Sequence, residues 1–193
     1  MTTAIEKIGY DKCTGCFGCY NVCDFNAIEM KLDKLGFYYP KIYKSKCTNC
    51  NKCYNVCPII ICNKENRDIN KLKVYGAHSL DENIRKISSS GGISTELGRY
   101  ILRDNGVVFG VAWNKDFLVH HIEIREEKDI FKIIGSKYIQ SNVLDTYEKI
   151  YKITNEEKKK VLFIGLPCQV AALKNIVNNN NLITVDLICH GVP

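Results

Sequence analysis

The chain has 193 residues, 46% of them hydrophobic, enough for a packed core in one or two domains. Its formal charge of +6 is spread along the sequence, and Lys158, Lys159 and Lys160 read as a solvated helix end, so no nucleic-acid partner is expected. With no apolar leader and no apolar run long enough for a bilayer, no membrane span is expected.

The first element in chain order is a cysteine array. Cys13, Cys16, Cys19 and Cys23 form a C-x2-C-x2-C-x3-C run; Cys47, Cys50, Cys53 and Cys57 repeat it, and Pro58 follows. Three thiolates two residues apart wrap three corners of a cubic cluster, and the fourth ligand comes from the partner run. This assigns Cys13, Cys16, Cys19 and Cys57 to one 4Fe–4S cluster and Cys47, Cys50, Cys53 and Cys23 to a second. A zinc site needs four ligands, usually as two pairs, so the third C-x2-C step is surplus to it. A disulfide framework needs an oxidising compartment. Eleven cysteines without a leader point instead to the cytoplasm. Oxygen-sensitive clusters suit an anaerobe. Each cluster with its thiolates adds about −2, so the balance of charge is nearer neutral than +6.

Tyr20-Asn21-Val22-Cys23 is echoed by Tyr54-Asn55-Val56-Cys57, so residues 1–62 read as one ferredoxin-like α+β module. Cys62 is left as a packed thiol. Residues 63–71 are polar and read as a linker. From residue 72 the pattern is that of an α/β domain with a partly parallel sheet. Val74 to His78 reads as a strand. Ser88 to Gly92 opens a helix with Ile93, Leu97, Tyr100 and Ile101 on one face, and Asn105-Gly106 stops it. Val107 to Trp113 and Phe117 to Ile124 read as strands, and 126–134 and 145–154 as amphipathic helices. Val161 to Gly165, Gln169 to Val177 and Leu182 to Ile188 give strand, helix and strand, hence a parallel pair with a crossover.

Cys168 and Cys189 each follow one strand of that pair, at the carboxyl edge where ligands of open α/β sheets bind. The spacing therefore brings two distant thiols together. His190 is open as a ligand, a proton donor or a turn residue. His120 and His121 point to opposite faces of a strand and read as structural. Ser88 to Gly92 exposes backbone N–H groups that suit a phosphate, or it is a plain helix cap. Lys137, in the polar loop Gly135 to Ser141, meets an anionic cofactor or only solvent.

Ser89-Ser90-Gly91-Gly92-Ile93, Gly135-Ser136-Lys137-Tyr138, Gly165-Leu166-Pro167-Cys168-Gln169 and Cys189-His190-Gly191-Val192-Pro193 resemble the coenzyme F420 hydrogenase/dehydrogenase beta-subunit family. The resemblance implies FAD on the α/β domain, with Ser89, Ser90, Gly91, Gly92, Ser136, Lys137, Tyr138 and Ser141 at its site. It also implies a third, flavin-proximal 4Fe–4S cluster with Cys168 and Cys189 as two ligands. The first Cys run is followed by Asp24 where the ferredoxin pattern has Pro, which is not a ligand. Family members continue for a comparable length past the Cys-His-Gly motif, with a further C-x2-C pair. Residues 72–193 are thus expected to be the N-terminal part of the flavin domain.

The resulting expectation is an iron–sulfur flavoprotein oxidoreductase. It passes electrons between the clusters, FAD and a small two-electron substrate such as coenzyme F420, with a ferredoxin or another oxidoreductase subunit as redox partner. The alternatives are a ferredoxin relay without catalysis of its own and a binding module with sensory clusters; flavin content separates the first two.

Overall fold

The structure, a computed structural model, describes residues 4–61 and 69–192. Cys62 and most of the expected linker lie outside the described residues. The N-terminal part holds helix α1 (Ala4–Ile8), helix α2 (Gly18–Asn21), strand β1 (Ile28–Leu32), strand β2 (Tyr38–Ile42) and helix α3 (Lys52–Val56). The strands form an antiparallel hairpin with Ile28 opposite Ile42. The two cysteine runs repeat in backbone as they do in sequence. Gly15 (φ 60°) and Asn49 (φ 56°) are both left-handed, as are Phe17 (φ 64°) and Asn51 (φ 60°), which begin α2 and α3. A left-handed Phe is strained, and the conformation persists only where its surroundings hold it. Phe17 is buried in the core of the second part.

The second part is a four-stranded mixed sheet in the order β4-β3-β5-β6. Strands β3 (Val107–Trp113), β5 (Val161–Gly165) and β6 (Leu182–Asp186) run parallel, and β4 (Val119–Ile124) is antiparallel at one edge. Alternation along β3 and β5 feeds two cores. Val107, Phe109, Val161 and Phe163 face helices α6 (Thr146–Asn155) and α7 (Pro167–Ile176), together with Phe17. Val108, Leu162 and Ile164 face helix α5 (Ile93–Arg103) and the 3-10 turn Glu127–Ile133. The short helix α4 (Glu82–Ile87) is capped by the Asp81 side chain. None of the described helices is long and apolar enough to cross a membrane.

Four details differ from the sequence expectation. Residues 74–78 form no strand; Val74 is 94% exposed, and among the described residues no strand pairs with this segment. The buried face of α5 is Thr95, Gly98, Ile101 and Leu102, while Ile93, Leu97 and Tyr100 face out. The reason is close approach: a Cβ on Gly98 would stand 2.7 Å from Ile130 Cδ1. Residues 126–134 hold a 3-10 turn rather than an α-helix. Strands β4 and β6 are shorter than expected, because Phe117 is left-handed in the hairpin turn and the chain leaves the sheet after Asp186.

Candidate functional site

The fold gathers the N-terminal thiols round two voids. One is bordered by Cys13, Cys16, Cys19 and Cys57 with Ile8, Met30 and Ile59; the other by Cys23, Cys47, Cys50 and Cys53 with Phe25, Ile28 and Ile42. Cys53 touches both voids. Among the described residues no three His, Cys, Asp or Glu converge as they would on one metal ion. Runs of three C-x2-C-spaced thiols with a fourth from the partner run fit a cubic cluster, whereas a zinc site needs only four ligands in two pairs. None of the ten described cysteines is in a disulfide. Burial pushes the Cys16 thiol up to about 12, and raises Cys13 and Cys19 as well. These thiols hold their protons until a metal displaces them.

The two runs differ in setting. In the first, Gly15, Phe17 and Gly18 are buried against the second part, and a Cβ on Gly18 would lie 3.1 Å from Ala172 Cβ. In the second, Asn49, Cys50, Asn51 and Lys52 at the equivalent positions are all exposed. The first run is therefore an interface and the second a surface.

That interface is hydrogen-bonded. The Tyr147 hydroxyl, fully buried on α6, lies 2.9 Å from the carbonyl oxygen of Cys16 and 3.1 Å from that of Gln169. Asn21 Oδ1 accepts from the backbone N–H groups of Tyr147 (3.1 Å) and Glu148 (3.3 Å), so a residue of the first part caps a helix of the second. Asn21 Nδ2 donates to the Leu144 carbonyl at 2.8 Å, and Asn175 Nδ2 to the Val56 carbonyl at 3.1 Å. Gln140 Oε1 accepts from Tyr38 N–H at 2.7 Å, and its Nε2 donates to the Thr14 carbonyl at 3.4 Å. Cys168, next to Gln169, is close enough for the Cys16 thiol to feel its charge, and its own pKa is raised by burial.

A cavity of about 370 Å³ lies at the carboxyl ends of the three parallel strands, bordered by Gly110, Gly165 and Leu187. It falls in the lower part of the ~300–1,000 Å³ range of small-molecule sites. Ser89, Ser90, Gly92, Ser136, Lys137, Tyr138 and Ser141 all line it, as do Cys189 and the exposed His190. Gly91 does not; it packs against the backbone of Ala77 and His78. Cys168 stands off the cavity, although the Cys189 charge reaches it. The starts of both α5 and α7 border the cavity, which places unsatisfied N–H groups where an anion is favoured. The Ser89 hydroxyl accepts from Ser136 N–H at 2.7 Å and joins the two polar loops. Lys137 Nζ donates to the carbonyls of Ile134 (2.8 Å) and Gly135 (3.0 Å), and half-burial lowers its pKa. A mixed wall of hydroxyls, one amine and apolar Ile133, Ile134 and Ile164 fits a flavin dinucleotide better than a purely apolar ligand.

Sequence reasoning missed three residues. Buried Gln169 accepts from Leu166 N–H (3.0 Å) through Oε1 and donates to buried Ser141 Oγ (2.9 Å) through Nε2, so it braces both the start of α7 and the cavity wall. Its place beside Cys168 was the available signal. Phe17 could have been noticed as an apolar residue where the repeat has Asn51. Tyr147 had no signal beyond lying on an amphipathic helix. His121, expected to be structural, is buried and stacked on Phe163, with ring centroids 5.0 Å apart, and neither ring nitrogen has a hydrogen-bond partner.

Residues 12–61 match the 4Fe-4S dicluster domain, and residues 74–148 match the family described as coenzyme F420 hydrogenase/dehydrogenase, beta subunit N-term. No curated protein matches the chain in sequence. Among solved structures, a chain of the F420-reducing NiFe hydrogenase complex from Methanosarcina barkeri, in a xenon-derivatised form, is 24% identical with a TM-score of 0.48. The match covers 61% of this chain and 45% of that one, so the chain spans less than half the length of that protein.

Proposed function

We propose, from the match of residues 74–148 to the coenzyme F420 hydrogenase/dehydrogenase beta-subunit family and of residues 12–61 to the 4Fe-4S dicluster domain, an iron–sulfur flavoprotein oxidoreductase. It exchanges electrons between its two ferredoxin-type clusters, FAD and a two-electron substrate such as a deazaflavin, in company with a redox partner protein. The reading includes a reducing compartment, the cytoplasm, which suits abundant cysteine thiols. One observation supports the reading above the rest. The cavity predicted for a cofactor and the first cysteine run meet through α7, whose second residue is Cys168 and whose third is Gln169.

Cys13, Cys16, Cys19 and Cys57 would hold one cluster, and Cys47, Cys50, Cys53 and Cys23 the other. FAD, when bound, supplies the exchange between single electrons and a two-electron or hydride step. Ser89, Ser90 and Ser136 would offer hydroxyl donors to its phosphates, with the N–H groups of the α5 start behind them. Lys137 adds a cation at the cavity wall. Tyr147 holds the first cysteine run against α7 and Asn21 holds it against the start of α6, which keeps the path between cluster and cavity short. Cys168 and Cys189 would be two of the ligands of a flavin-proximal cluster; the alternative reading is a ferredoxin relay without catalysis of its own.

The test is composition. The protein is purified without oxygen, assayed for iron and sulfide, and heat-denatured to release flavin for fluorescence. About eight iron atoms with stoichiometric FAD support the oxidoreductase. About eight iron atoms without flavin reduce the proposal to the relay, and zinc in place of iron overturns both.

A further inference from the structure

The exposed second cysteine run has a basic border. Tyr43, whose carbonyl oxygen accepts from the backbone N–H groups of Lys46 (3.0 Å) and Cys47 (3.1 Å), leads directly into that run. Around its ring stand Lys41 and Lys46, with ammonium groups 5.7 and 5.8 Å from the ring centroid. Lys31 joins them through Glu29, 3.3 Å away, and Glu29 accepts from the Tyr43 hydroxyl. Three lysines thus converge with one glutamate between them. The neighbouring Lys44 is balanced by Glu6 at 3.4 Å, and Lys52 by Asp24. Cys50 beside this border is itself exposed.

A 4Fe–4S cluster with four thiolates is an anion, so its bare surface repels another anionic carrier. Three lysines against one glutamate offset the cluster's charge of about −2 where it comes nearest to solvent, and present cations that steer an acidic partner to it. The opposite face of the module has no such access, because Phe17 and Gly18 seal it against α7. We infer that the collar of Lys31, Lys41 and Lys46 around Tyr43 is the docking surface for an acidic one-electron carrier protein, which exchanges electrons through the Cys47 run. The inference rests on the cluster assignment above and not on the flavin.

The probe is an acidic flavodoxin in its fully reduced form, whose oxidation is followed by its own absorbance on rapid anaerobic mixing. The bimolecular rate constant is expected to fall about tenfold between low and 300 mM salt. In Lys41→Glu/Lys46→Glu at low salt it is expected to fall about tenfold, with reduction by methyl viologen radical undiminished. If the variant loses its cluster absorbance, the salt series on the unmodified protein and the milder Lys41→Gln/Lys46→Gln carry the test. A rate indifferent to salt and to both substitutions overturns the docking surface. An unmodified protein with no iron–sulfur absorbance overturns the cluster assignment instead.

Discussion

Tyr147→Phe isolates the bond between the two parts of the chain. The substitution keeps the buried ring and its edge-on packing against Phe163 (centroids 5.9 Å apart) and removes only the hydroxyl. That hydroxyl has one proton for two carbonyl acceptors, those of Cys16 and Gln169. One buried hydrogen bond is therefore lost, and two acceptors are left without this donor. The cost is about 1–2 kcal/mol, near the middle of the range for an orphaned buried polar group. At about 2–4 °C per kcal/mol for a chain of this size, the melting point falls by about 2–8 °C. Because one acceptor is the backbone of a cluster cysteine, opening of that loop becomes about 5–30 times more frequent, and chelator bleaching of the iron–sulfur absorbance speeds up to match. Tyr151→Phe on the exposed side of the same helix is the control and changes stability by less than about 0.5 kcal/mol. Equal melting and bleaching for the two variants would refute the view that Tyr147 fastens the cluster loop to the second part.

Three further outcomes are expected. Phe17→Ala costs about 3–5 kcal/mol, because it empties a core site, whereas Asn51→Ala at the equivalent exposed position costs less than about 0.5 kcal/mol; denaturant unfolding checks both. Burial pushes the His121 imidazole down from 6.5 to about 4, so the folded state resists its protonation and stability is lost as pH falls below 6.5 towards 4. Between pH 7.5 and 5.5 the unmodified protein loses about 1 kcal/mol that His121→Leu does not, read from unfolding midpoints at the two pH values. Cys57→Ala and Cys23→Ala each leave about four iron atoms per chain, and the survivor is the Cys47-run cluster in the first and the Cys13-run cluster in the second, told apart by chelator accessibility.

Ligand chemistry made the cysteine runs legible, because the spacing that wraps a cube is demanded by the cluster and not by the chain around it. The β5–α7–β6 unit was legible for a related reason: a short apolar run, a turn and a helical period leave few alternatives to a parallel crossover. The face of α5 was not legible. Counting apolar residues selects Leu97 and Tyr100, but the packed face is the one with Thr95 and Gly98, whose small size lets Ile130 approach. The apolar segment 74–78 misled in the opposite direction, since β-propensity without a neighbouring strand makes no strand. At the cavity, the serine and lysine loops were found by their polarity, while Gln169 was missed because its work is done on backbone and on Ser141, not on any pattern visible along the chain.

The broken symmetry of the cysteine repeat explains how such a module acquires a direction. Its backbone is duplicated down to the left-handed residues at Gly15/Asn49 and Phe17/Asn51, because each loop must wrap the same cube. Nothing in that geometry distinguishes one end from the other. The distinction lies in the side chains of the x2 gap, which ligate nothing and are free to differ. Phe17 and Gly18 make one loop apolar and thin enough to press on α7, with Asn21 capping α6. Asn51 and Lys52 keep the other loop wetted, beside its lysines. Exchanging the two gap pairs, Phe17→Asn/Gly18→Lys with Asn51→Phe/Lys52→Gly, should therefore leave cluster loading intact while loosening the module from the second part. A swapped protein that keeps both its melting point and its module contacts would show that the interface is fixed elsewhere.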